Sequence, residues 1–210
     1  DAQESLGLGD VYKRQVQEGD KAFSSLQGFV SRYRFPYLKE GNTLEKRDGV
    51  RKWLLAHNYK SGAVSIDASD WYYNQLFLAY QKENDQESLD KLKPAYISHL
   101  LDRASYYDGL ALKTLGRSPK HVLLLHVRAI NAAWLDDIIS AFNEQGWNFI
   151  DSDSAYQDPL YKLQTETLPA GESILWNISK IYGVDGLRYP AEDAPYEYEN
   201  LKKFGLNVAP

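Results

Sequence analysis

The sequence predicts an α/β fold, on three observations. Apolar, β-prone segments alternate with helix-length periodic ones, from Val30–Phe35 through residues 42–58 to Gly62–Asp67. Such a strand–helix–strand order calls for parallel pairing with a right-handed crossover. The run His121–Val127 is continuously apolar between its histidines, as suits a strand buried on both faces. Polar residues also recur where these strands end, the place where parallel α/β folds put their chemistry.

Taken in order, Val16–Phe29 begins polar and ends apolar, which predicts a helix leading into the first strand. Asn42 followed by Glu45 has capping-box spacing, so a helix is expected to begin at Asn42. Val50, Trp53, Leu54 and His57 then form one apolar stripe, with His57 a packed or surface residue. In Asp67-Ala68-Ser69-Asp70-Trp71, Asp67 or Ser69 is placed to cap the next helix, which carries Tyr72, Leu76 and Tyr80. Residues 86–114 read as a helix that Pro94 is expected to kink or restart, with His99 structural on its apolar face. Beyond His126 follow a helix over 131–145, a strand Trp147–Ile150, and helical pieces Asp153–Tyr161 and Gly171–Tyr182. The tail from Arg188, rich in Pro, Tyr and Glu, is expected to wrap the surface as coil.

Composition narrows the function classes. The 210 residues are 43% apolar and 25% charged, ordinary for a globular chain. A net charge of −5 and a pI near 5.4 imply no basic face for nucleic acid. The absence of Cys removes disulfides, thiolate metal sites and cysteine nucleophiles together. No apolar run approaches the ~20 residues of a membrane span. The 16 Tyr and 5 Trp suit sugar-facing surfaces as well as cores.

The chain contains no Met and opens without a signal-peptide pattern. Ser5–Gln15 has neither helical nor strand period and closely resembles the translated end of a sequencing-library transposon adapter. Residues 1–15 are therefore expected to be a non-native leader, and residues 16–210 a single, partial α/β domain.

Three strand ends carry the candidate chemistry: Arg34 with Tyr37, Asp67 with Asp70 and Trp71, and His126. An aspartate can accept from an imidazole, fixing its tautomer and raising its basicity. A histidine so poised serves as general acid or base. Arginine can hold a catalytic carboxylate by a bidentate contact. The set reads as a hydrolytic half-site, for it includes no nucleophile and no metal set. Glycine-rich phosphate loops, His-Glu-x-x-His and Gly-x-Ser-x-Gly are absent.

At these residues the chain resembles the polysaccharide deacetylase family, the chitooligosaccharide-deacetylase homology domain. That family carries the ordered motifs Thr-Phe-Asp-Asp, His-x-x-x-His, Arg-x-Pro-Tyr, Asp-x-x-Asp-Trp and Leu-x-Leu-x-His. Arg34-Phe35-Pro36-Tyr37, Asp67-Ala68-Ser69-Asp70-Trp71 and Val122-Leu123-Leu124-Leu125-His126 match the last three in order. Val122 in place of Leu is the one departure. The resemblance covers roughly residues 16–205 and looks like a bacterial branch.

It implies the C-terminal part of a distorted (β/α)7 barrel and a metal-dependent N-deacetylase of polysaccharide, peptidoglycan or chitooligosaccharide. By resemblance, Arg34 orients a catalytic aspartate and the Tyr37 backbone N–H helps hold the oxyanion. Asp70 positions Arg34 or His126, Trp71 and Leu124 wall the acetyl pocket, and His126 is the general acid. The family's zinc-type divalent metal takes its ligands from the first two motifs, which this chain does not contain, so the chain alone is expected to be inactive. The implied partner is an N-acetylated sugar polymer or oligosaccharide, and the implied location is periplasmic or secreted. A non-catalytic carbohydrate-binding or scaffold protein on the same fold is the alternative. A related amidase acting on a non-sugar amide fits the motifs less well.

Overall fold

A computed structural model of the chain describes residues 2–188 and 194–207, with side chains described from residue 13 onward. Helix dominates: α1 (Ala2–Phe23), α2 (Leu44–Ala56), α3 (Asp70–Glu83), α4 (Gln86–Leu115), α5 (Ala129–Glu144), α6 (Ser152–Tyr156), α7 (Ile174–Ile181) and α8 (Tyr198–Lys203). Two strands, β1 (Arg32–Tyr33) and β2 (Lys60–Ser61), flank α2 and pair in parallel, Arg32 opposite Lys60. The helix–strand alternation is therefore present, with strands much shorter than the sequence predicts. No helix among the described residues is long and apolar enough to cross a membrane.

The chain forms two compact units, Asp1–Ala63 with Leu163–Glu172, and Val64–Lys162 with Ser173–Pro210. In the first, α1 starts well upstream of Val16 and packs against α2. The Tyr59 hydroxyl donates to Asp20 Oδ1 at 2.7 Å, tying the chain before β2 to α1. α2 begins one residue later than the capping-box spacing predicts. Thr43, in extended geometry, accepts the Lys46 N–H on its side chain at 3.3 Å. Asn42 Oδ1 instead accepts from Lys46 Nζ. His57 lies exposed at the helix end, stacked on Trp53 with ring centroids 4.0 Å apart.

Residues 36–41 make a tight turn held to the 163–172 segment. Glu40 N–H donates to the Ala170 carbonyl at 2.9 Å, and Ala170 N–H to the Gly41 carbonyl at 2.7 Å. Inside the turn Tyr37 and Leu38 both adopt left-handed backbone, φ 53° and 56°. That region is unfavourable for residues with a Cβ. Gly171 lets the two segments meet, because a Cβ there would stand 2.5 Å from the Leu38 carbonyl oxygen.

In the second unit α4 packs against α3, α5, α7 and α8, and α3 also packs against α5. Its buried face repeats every three to four residues through Leu92, Tyr96, His99, Leu100, Arg103, Tyr107 and Leu110. Pro94 sits inside this helix without restarting it. It lies on the solvent side, where water can satisfy the carbonyl one turn back that its missing N–H leaves unpaired.

The two predicted inner strands shrink to a parallel bridge between Ile66 and Leu123. Ser65 and Ile66 N–H both donate to the Val122 carbonyl at 3.1 Å, and Leu124 N–H returns to Ile66 at 2.9 Å. Trp147–Ile150 forms no strand. Trp147 N–H closes onto the Phe142 carbonyl at the end of α5, and Phe149 and Ile150 are exposed. The tail also departs from its expected coil. Residues 189–193 lie outside the described residues, but 194–203 are helical and bury Glu197 and Leu201 in the second unit.

Candidate functional site: an aspartate–histidine pair

The Ile66–Leu123 bridge sets two chain segments in register, and each carries a site residue just past it. Asp70 opens α3, and His126 ends the extended run. His126 Nδ1 meets Asp70 Oδ1 at 2.7 Å, and the His126 backbone N–H donates to Asp70 Oδ2, also at 2.7 Å. Asp70 is completely buried, while the His126 side chain is 45% exposed. A carboxylate facing Nδ1 makes that nitrogen the donor, which leaves Nε2 as the working atom. Nε2 has no hydrogen-bond partner among the described residues.

Asn131 completes the pair. Its amide donates to Asp70 Oδ2 and to the His126 carbonyl, both at 2.9 Å. Its own carbonyl accepts the Tyr96 hydroxyl at 2.5 Å. Burial, reinforced by the nearby Asp70 charge, pushes the Tyr96 phenol far up, so it stays a donor. The first turn of α5 is held by α3, because Ile130 N–H donates to Asn74 Oδ1 at 3.2 Å. Asp70 thus receives three N–H donors, the satisfaction that a buried carboxylate requires.

Trp71 follows Asp70 in α3, half-buried with its ring 5.6 Å from Tyr72. Leu124 is half-buried two residues before His126. Asp67 is buried just before α3. Ser69 occupies the cap position of α3 but makes no side-chain cap bond. Arg34 and Tyr37 belong to the first unit. There Arg34 Nε donates to the Gly62 carbonyl at 2.9 Å. Tyr37 projects an 88% exposed side chain, and its backbone N–H is bonded to no group among the described residues.

A second histidine arrangement, unread in the sequence, lies under the bridge. His121 Nε2 is 3.1 Å from Asp108 Oδ1, and its Nδ1 is 3.1 Å from Ser65 Oγ. This Ser–His–Asp order is structural: Ser65 is wholly buried and already accepts the Val122 N–H at 2.8 Å. Burial pulls the His121 ring below its ordinary value, with Asp108 opposing.

Sequence reasoning also missed Asn131 and Glu197. Asparagine on a helix carries no periodic signal, and an acid in a Pro- and Tyr-rich tail reads as surface. His99 is structural, as expected, but its partner is that distant glutamate, with Nδ1 2.8 Å from Glu197 Oε2.

No group of three or more His, Asp or Glu side chains among the described residues is placed to hold a metal ion. Both oxygens of Asp70 are engaged by protein donors. The described residues therefore do not fit a divalent metal. No family model, curated protein or solved structure matches the chain.

Proposed function

We propose that the chain is the C-terminal portion of a polysaccharide deacetylase, with His126 as general acid and Asp70 as the residue that orients it. The reading is carried by the Asp70–His126 pair, because the two residues come from the two motifs that the family places last. Hydrolysis of an acetamido C–N bond consumes one water and releases acetate and an amino sugar. The sugar nitrogen must gain a proton as it leaves. His126 Nε2, the exposed end of an imidazole anchored by a buried carboxylate, is suited to give it. Leu124 and Trp71, half-buried beside the pair in sequence, suit an acetyl methyl group.

The same proposal places the chain in a distorted (β/α)7 barrel. The parallel pairing of β1 with β2 and the parallel Ile66–Leu123 bridge support that geometry. By the same resemblance, the Tyr37 backbone N–H would help hold the oxyanion and Arg34 would orient a catalytic aspartate supplied by the family's first motif. The metal and the base would be held by the family's first two motifs. The substrate is an N-acetylated sugar polymer in the periplasm or outside the cell.

The test begins with the nucleotide sequence upstream of codon 16. A longer protein encoding Thr-Phe-Asp-Asp and His-x-x-x-His should release acetate from chitooligosaccharides, and His126→Ala should lower kcat by about 10²–10⁴. A native start codon near residue 16, or full activity in the variant, would sink the reading. Calorimetric binding of chitooligosaccharides without turnover in the longer protein would point instead to a non-catalytic carbohydrate-binding role.

A further inference from the structure

Next to the Asp70–His126 pair lies a further imidazole–carboxylate pair that no catalytic role absorbs. Glu197, from the turn Ala194–Glu197, is buried with its side chain 3% exposed. It receives His99 Nδ1 at 2.8 Å, the Ser69 hydroxyl at 2.8 Å and the Tyr73 hydroxyl at 3.2 Å. Arg103 Nη2 stands 3.5 Å away. His99 Nε2 accepts the Ser69 backbone N–H at 3.0 Å, so the ring proton sits on Nδ1 and points at Glu197. Asn200, one turn further along the tail, donates to the Tyr73 hydroxyl at 2.7 Å and to the Ala95 carbonyl at 2.9 Å.

Burying these groups is costly, and an apolar cluster would pack the same space at less cost. The network converges on one residue, Ser69. A serine at a helix cap ordinarily turns its oxygen to the first-turn N–H groups. Ser69 makes no such bond and gives both its hydroxyl and its backbone N–H to the His99–Glu197 pair. Fixing those two atoms fixes the peptide that leads into Asp70. Asp70 in turn makes two 2.7 Å bonds to His126, which tolerate little displacement.

We propose that Glu197 and His99 are positioning residues: through Ser69 they set the first turn of α3, so that Asp70 stands where His126 Nδ1 meets it. The C-terminal segment thereby becomes part of the site's construction. This rests on Asp70 and His126 being the working pair. Its test reads the geometry of that pair and not turnover, so failure of the deacetylase reading would be seen separately.

The readout is the nitrogen-bound Nδ1 proton of His126 by NMR, with its solvent exchange measured on the folded chain. Glu197→Gln puts an amide donor where two donors converge, and Ser69→Ala removes the linking hydroxyl without changing charge. Both are expected to speed that exchange about tenfold, reporting a loosened Asp70 contact. Phe142→Leu, toward the far end of α5, is the control and should lower Tm without altering the exchange. If Glu197→Gln fails to fold, Ser69→Ala decides alone. Unchanged exchange in a folded Glu197→Gln or Ser69→Ala protein would overturn the proposal. So would exchange that follows Tm equally in all three variants.

Discussion

Asp70 holds His126 by both its ring and its backbone, one carboxylate oxygen to each, at 2.7 Å. The ring is thereby oriented together with the chain that carries it, and an imidazole so fixed cannot turn Nε2 inward. Asp70→Asn would replace one acceptor oxygen with an amide donor facing N–H groups in a fully buried place. We expect that variant to lose about 1–3 kcal/mol by urea denaturation, since buried donors would be left unpaired. A loss within the noise would mean that water replaces the carboxylate there.

Glu197 makes stability acid-sensitive. Burial pushes its carboxyl up, but His99, Ser69 and Arg103 together outweigh burial and hold it down at about 2. Its contribution is fully present above its ordinary value of 4.5 and is lost as pH falls toward about 2. Thermal melts over that range should show a decline of roughly 3 kcal/mol. Glu197→Gln should flatten the curve, and an equally steep decline in the variant would refute the assignment.

His121 acts in a higher window. Burial lowers its pKa below the ordinary 6.5, with Asp108 pulling the other way. The unfolded chain therefore binds the proton more readily, and stability is complete above 6.5 and falls as pH drops through the folded value. His121→Gln keeps an acceptor near Ser65 and removes the titration. Melts between pH 7 and 5 should decline less in the variant than in the parent.

The turn at 36–41 pits strain against fit. Gly171→Ala would drive a Cβ to 2.5 Å from the Leu38 carbonyl oxygen, at φ 144°. A loss of about 1–3 kcal/mol in chemical denaturation is expected. Tyr37→Gly should do the reverse and stabilise by up to about 1 kcal/mol. The ring is 88% exposed, and the left-handed backbone costs glycine nothing. A destabilised Tyr37→Gly would mean that the phenol has a packing role.

Legibility in the sequence followed local pattern. The stripe of α4 was readable because its apolar residues recur within one helix, and Thr43 displaced Asn42 as cap by a single position. Asp70 and His126 were readable as polar residues ending apolar runs, and their pairing needs only the parallel bridge at Ile66 and Leu123. Trp147–Ile150 failed for the opposite reason. Strand propensity is a preference for a half-buried pleated surface, and Phe149 and Ile150 stay exposed and pair with no strand among the described residues. Glu197 was invisible because its role depends on His99 and Ser69, both far away in sequence.

The placement of α4 has a consequence for how the second unit comes apart. α3, α5, α7 and α8 all pack against this one helix, so each can open while α4 keeps its remaining partners. α4 itself opens only when several neighbours have already left. Its amides between Leu92 and Ala111 should therefore be the slowest in the unit to exchange with solvent and should report global unfolding. Those of α8, a helix of only six residues, should exchange by local opening.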